Sequence, residues 1–343
     1  MSLFDIILLN KGGEYTLRKL VVIGNGFDIA HGIPTRYSYF MKYLLRYEQK
    51  PQFFEGSKRY ALLSSISPQD QARHRFYKAL SKYIPEQDLW CSFEEALGDL
   101  DYEPIQEDNS CYLLDYADDN WRDSANHDFQ YMIEQDLSFA ADIPRYFLEW
   151  IRTINTNVPP ICSSKIISIN DLFLNFNYTN TLENVYDIPT VNILYIHGNA
   201  LQGDNLILGH HDTTLFQEKS IPAFNSAEEH DVYLESIDED FRITEARDII
   251  KAYFRKTYKD TASIIKEKQG FFCSLLHIDT VFVLGHSLSE IDMDYFIEIR
   301  KNVSPTCKWY ISYYSQDDFF KAKNFVDFLQ IQYYQLITFA DIK

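Results

Sequence analysis

Short runs of consecutive apolar residues that stop at glycine or at a small polar residue recur along this chain. Leu20-Val-Val-Ile23 stops at Gly24-Asn25-Gly26, and Asp171–Phe176 runs into Asn177-Tyr178-Thr179. Asn192–Ile196 precedes His197-Gly198, and Thr280–Leu284 precedes Gly285-His286-Ser287. A fifth run, Leu206–Leu208, precedes Gly209-His210. Strands that are apolar at every position, not at alternate ones, are covered on both faces. Helical patterns lie between these runs, as at 37–47, 181–186 and 290–301, and strands alternating with helices predict a parallel sheet. Two further strands are predicted at 308–313 and 333–339, with Ser315 capping the helix between them. The expected fold is therefore α/β, a Rossmann-like parallel sheet. From about 44 to 166 the pattern turns helical, at 58–83, 88–100 and 126–154. The stretch from Glu86 to Asp123 is acidic and is broken by Arg122 alone. The expected organisation is a nucleotide-binding core of 1–43 and 167–343 carrying a mainly helical, acidic insertion at 44–166. Residues 226–269 also read as helical.

Open parallel sheets bind ligands outside the carboxyl ends of their strands. The polar strand ends are thus expected to meet on one edge. Glycine after the first strand permits a sharp turn and lets a phosphate approach the backbone. GNGFDIAHG is an incomplete dinucleotide fingerprint, because Ile29 stands where a small residue is wanted. Asp28 can cap the following helix, or it can face a ribose or substrate; both readings stay open. His197 suits a general base near neutral pH, and Asn177 can hold a ribose hydroxyl or a water. Asn177 also fits a glycosylation acceptor, which the absence of an export signal disfavours. Gly285-His286-Ser287 suits a phosphate or ribose, or alternatively Ser289 with Asp292 forms a capping box. Adjacent His210 and His211 would point to opposite faces of a strand, so no metal site is expected.

Composition enters through charge and cysteine. Fifty acidic residues against 32 basic give a formal charge of −18, which disfavours nonspecific nucleic-acid binding. The five cysteines include no pair within three positions, so reduced thiols are expected. The start resembles no signal peptide, and no uncharged apolar run reaches the ~20 residues a bilayer needs. A cytoplasmic protein without a membrane partner is expected; the oligomeric state is left open.

GNGFDIAHGIPTRYSYF (24–40), WCSFEEALGDLD (90–101), NFNYTNTLENVY (175–186), IHGN (196–199) and GHSLSEIDMDYF (285–296) together resemble the AbiH family of phage abortive-infection proteins. The same order of motifs is similar, more distantly, to the SIR2-like NAD-binding group. That likeness implies NAD as ligand or substrate and a role in phage defence through NAD destruction, with a phage-derived trigger. It places Asn177 at the water- and ribose-positioning asparagine and His197 at the histidine acting on ribose hydroxyls. The zinc-binding cysteine pairs of sirtuin deacylases are absent, which argues against deacylation. The candidate set is Asn177, His197 and Asp28 for catalysis. Gly24, Asn25, Gly26, Phe27, Pro34, Gly198, Gly285, His286, Ser287 and Asp292 are the candidates for binding. The leading expectation is a hydrolase cleaving the nicotinamide–ribose bond. A nucleotide-sensing module without turnover is the first alternative. The second is a hydrolase or transferase acting on another nucleotide through Asp28.

Overall fold

The computed structural model describes residues 19–46, 67–203, 205–217 and 240–342. The expected helical stretches at 58–66 and 226–239, and the reading of the first residues, lie outside these. The chain divides into two compact units: 1–40, 147–207 and 259–343 form one, and 41–146 with 208–258 form the other.

The first unit holds a six-stranded, all-parallel sheet ordered β3-β2-β1-β4-β5-β6. The strands are β1 (Lys19–Ile23), β2 (Leu172–Asn175), β3 (Ile193–Tyr195), β4 (Thr280–Leu284), β5 (Lys308–Ser312) and β6 (Tyr334–Ile337). The continuous apolar pattern has a direct cause. Leu20, Val22, Leu174, Val281 and Val283 pack into one buried cluster. Their alternating neighbours Val21, Ile23, Phe173, Phe282 and Leu284 pack into the other. Successive side chains leave opposite faces of a strand, so a sheet covered on both sides needs apolar residues at each position.

Register positions the functional edge. Ile23 pairs with Asn175 on one side and with Leu284 on the other. Asn175 pairs in turn with Tyr195. The residues that follow each strand therefore emerge level: Gly24, Phe176, Ile196 and Gly285. The two halves of the strand order meet between β1 and β4, the switch point at which such sheets bind ligands. Helices carry the chain onward from this edge: α1 (Asn25–Ala30), α2 (Thr181–Tyr186), α3 (Thr261–Glu267), α4 (Met293–Asn302) and α5 (Gln316–Phe328). Ser315 caps α5 in a reciprocal box with Asp318.

The second unit is helical, with its longest helices at Pro68–Tyr83 and Phe241–Lys256. Ser67 accepts a hydrogen bond from the Asp70 amide and caps the first. Asp240 caps the second in the same way, accepting from the Arg242 amide. Two sequence expectations differ from this arrangement. Residues 147–166 belong with the sheet, and 208–258 belong with the helical unit, whereas the sequence reading placed them the other way round. Leu206–Leu208 forms no strand: Ile207 donates a backbone hydrogen bond to the His197 carbonyl, just past the end of the edge strand β3, and no ladder is built there.

Candidate functional site

The turn after β1 is built by backbone contact. Gly26 donates its amide to the Gly285 carbonyl at 2.7 Å, Phe27 donates to Gly24, and Gly24 donates to Leu284. A Cβ on Gly24 would lie 2.5 Å from the His286 Cα, and one on Gly285 would lie 2.1 Å from the Phe27 nitrogen. Gly285 also sits at φ +66°, a region that favours glycine. These glycines let the ends of β1 and β4 touch. The amides of Gly26 and Phe27, which a pyrophosphate would need, already have acceptors in the chain. Phe27 is fully buried against His31 and Tyr186 in the apolar core. The Asn25 side chain donates to the Thr35 carbonyl at 2.9 Å.

Asp28 does not cap α1. Gly24 is the cap residue and makes no side-chain bond, while Asp28 lies inside the helix, wholly buried. Thr179, two residues past Asn177, donates its hydroxyl to Asp28 Oδ2 at 2.5 Å. Oδ1 is buried and has no hydrogen-bond partner among the described residues. Burial pushes the carboxyl up to about 6, against the Thr179 hydrogen bond and the weaker pull of the nearby Thr181 and Asn177 side chains, neither of which reaches hydrogen-bonding distance of Oδ1. A carboxyl raised in this way moves toward the range in which a general base works near neutral pH. An orphaned, fully buried carboxylate oxygen is rare and calls for a reason. Asn177 is held at both ends. Its Nδ2 donates to the Gly24 carbonyl at 3.1 Å, and its amide donates to Asn175 Oδ1 at 2.9 Å. Behind this group the Tyr195 hydroxyl donates to Glu183 at 2.6 Å.

His197 leaves β3 and is buried. It hydrogen-bonds the Phe176 backbone, and its Nε2 has no hydrogen-bond partner among the described residues. The nearest opposite charge is Asp292 Oδ1 at 3.5 Å. Burial first, and then the Lys259 ammonium, push His197 down to about 3, so its imidazole is neutral at physiological pH. Lys259 Nζ donates to the same Asp292 oxygen at 3.4 Å, and His286 Nε2 lies 3.5 Å from the other. His286 Nδ1 accepts from the Leu288 amide at 2.9 Å, which leaves the ring proton on Nε2, facing Asp292. Burial would raise Asp292; Lys259 and the two histidines outweigh it and hold the carboxyl well below the usual range. The Phe176 ring meets His197 and His286 edge-on, with centroids 5.3 and 4.5 Å away. Leu288 holds φ +55°, a conformation a branched side chain seldom adopts.

The structure gathers Asp28, Asn177, Gly24, Gly26 and Gly285 into one cluster. It gathers His197, His286 and Asp292 into a second, and the Gly24–His286 contact joins the two. Pro34 and Ser287 are exposed and stand outside both. Gly198, at φ +87°, turns the chain after His197. Asp292 is no part of a capping box, since Ser289 makes no side-chain cap bond; its charge goes to the ion cluster instead. Sequence reasoning missed Thr179, Thr181, Lys259 and His31. His31 donates from Nδ1 to the Phe27 carbonyl at 2.8 Å and meets the Tyr186 hydroxyl through Nε2 at 2.7 Å. A family model described as bacteriophage abortive infection AbiH matches residues 20–313, a span that contains every residue of both clusters. No curated protein and no solved structure matches.

Proposed function

The chain belongs to the AbiH family of bacteriophage abortive infection proteins, and from that premise we propose that it acts in abortive infection as a nucleotide glycohydrolase, with NAD its first candidate substrate. The observation that carries the reading is Asp28: a buried carboxyl with one oxygen unpartnered among the described residues, pushed up to about 6 by burial, at the carboxyl edge of a parallel sheet. In the proposed reaction the bond between nicotinamide and C1′ of its ribose breaks, and the electron pair leaves with the pyridine nitrogen. The developing oxocarbenium carbon is met by water. Asp28 accepts the proton that water loses and supplies a fixed negative charge beside the cation, the largest single contribution in such reactions. Asn177, locked to Gly24 and Asn175, positions the water. His197, neutral and with Nε2 unpartnered among the described residues, accepts a hydrogen bond from a ribose hydroxyl.

Fit to NAD is uneven along the molecule. In the proposed complex the nicotinamide ribose takes Asp28 Oδ1 and His197 Nε2 as acceptors, both of them buried and unpartnered among the described residues. The pyrophosphate finds no free amide at Gly26 or Phe27. That observation favours a second reading, in which the same Asp28-centred hydrolysis acts on a smaller nucleotide or nucleoside.

Purified protein incubated with NAD, with extract of phage-infected cells added as trigger, is expected to release nicotinamide and ADP-ribose. Asp28→Asn is expected to lose about 100-fold or more in rate, the usual worth of a positioned acid–base group. Release equal in wild type, Asp28→Asn and His197→Ala would remove the proposal. Release from a nucleoside but not from NAD would select the second reading.

A further inference from the structure

Lys259 is the residue that the reading of the strand ends leaves out. It directly precedes the cap residue of α3, far from any strand end, yet its ammonium is among the most deeply buried side chains of the sheet unit. A buried ammonium is costly unless a partner offsets its lost hydration. Its partner is Asp292, at 3.4 Å. The same carboxylate oxygen lies 3.5 Å from His197 Nε2, so cation and imidazole share one anion. His286 takes the other oxygen. We propose that Lys259 is a positioning residue that holds His197 as a neutral acceptor, by occupying the Asp292 oxygen that would otherwise draw a proton onto His197 Nε2.

The argument is electrostatic and rests on which groups face His197. From the loop before α3 comes Lys259, and from the segment leading into α4 comes Asp292. His286 comes from the β4 end, and the Phe176 backbone from the β2 end. Tyr178 and Tyr295 approach with their rings, 6.2 and 5.7 Å away by centroid. Asp292 is the one anion and Lys259 the one permanent cation in this set. With both present the pair is neutral, and a proton on His197 would add an uncompensated buried charge. With Lys259 replaced by an apolar residue, Asp292 faces two imidazoles alone, and protonating one of them becomes the cheapest way to restore neutrality. Burial and the Lys259 ammonium, in that order, lower the His197 pKa, and Asp292 opposes them. The catalytic consequence rests on the reading of His197 given above; the electrostatic claim does not.

The test is a histidine titration by long-range ¹H–¹⁵N correlation NMR on the full chain, with His197 assigned by its loss in His197→Gln. Wild-type His197 is expected to stay neutral from pH 8 down to 5. In Lys259→Met its protonation midpoint is expected to rise by about one to two pH units or more, and Lys259→Arg is expected to restore the neutral ring. If Lys259→Met does not fold, Lys259→Gln keeps a hydrogen-bond donor beside Asp292 and removes the charge, and its His197 midpoint is expected above wild type for the same reason. A wild-type midpoint near 6.5, or a midpoint unmoved in whichever variant folds, would overturn the proposal. A nicotinamide assay on the same samples separates the two claims. A shifted midpoint with no NAD cleavage in any sample keeps the role of Lys259 and removes the NAD reading.

Discussion

At the scale of single residues, Asp28 and His197 bear opposite relations to pH. The Asp28 carboxyl is raised in the folded protein from 3.8 to about 6. Between those values the native state binds the extra proton, so Asp28's contribution to stability falls as pH rises and is least favourable above 6. His197 is lowered from 6.5 to about 3. There the unfolded state binds the extra proton, so stability is lost as pH falls through that window. Asp28→Asn keeps an oxygen for the Thr179 hydroxyl and removes the buried charge. It is expected to raise stability by about 2–3 kcal/mol at pH 7.5, a gain that vanishes near pH 4. Urea denaturation at the two pH values checks this; a variant destabilised equally at both would show that Asp28 is structural. Under the proposed role of Asp28, activity is kept at a cost in stability.

At the scale of elements, the contact between the β1 and β4 turns sets how closely the two halves of the sheet approach. Gly285→Ala places a Cβ against the Phe27 nitrogen at a positive φ, where no side-chain movement relieves the clash. A loss of about 3 kcal/mol or more is expected, counting both overpacking and strain. Gly32 has a positive φ of +77° and open space around it, so Gly32→Ala is expected to lose only about 1 kcal/mol. Thermal melts of the two variants side by side make the comparison, and equal losses would refute the close-packing account of Gly285. The same elements show what was legible beforehand. β1 and β4 were readable because burial on both faces writes itself into consecutive apolar residues. The convergence of Gly24, Asn177, His197 and Gly285 followed from the rule that parallel strands end level. Asp28 was ambiguous because a local reading sees only α1, and its partner Thr179 stands 151 residues away. Lys259 was invisible, since in a Lys/Arg-rich stretch it looks like one more solvated cation. Leu206–Leu208 misled because an apolar triplet shows its propensity and not whether it will lie alongside an edge strand or just past its end. The excursion at 208–258 was hidden for a related reason: its amphipathic helix looks the same whether it covers a sheet or another helix.

At the scale of the whole molecule, a family of abortive infection proteins supplies the context, and the sheet unit holds the residues to which the chemistry is assigned by proposal. Among the described residues no helix is long and apolar enough to cross a membrane. The formal charge of −18 repels polyanions at long range, which agrees with a substrate captured in a buried site and not along an open surface. The proposed hydrolysis of a nucleotide common to every cell requires a chain that is quiet until infection, and under that proposal the helical unit at 41–146 and 208–258 is a second body on which a trigger can act. Cells carrying the wild-type chain are accordingly expected to lose NAD after phage infection and to release fewer phage, while cells carrying His197→Ala keep both NAD and phage yield at control levels. The most direct measurement is a structure of the full-length Asp28→Asn variant crystallised with NAD. The account predicts the nicotinamide ribose between residue 28 and His197, with Asn177 beside C1′. A dinucleotide bound away from the carboxyl ends of β1 and β3, or touching neither residue 28 nor His197, would contradict it.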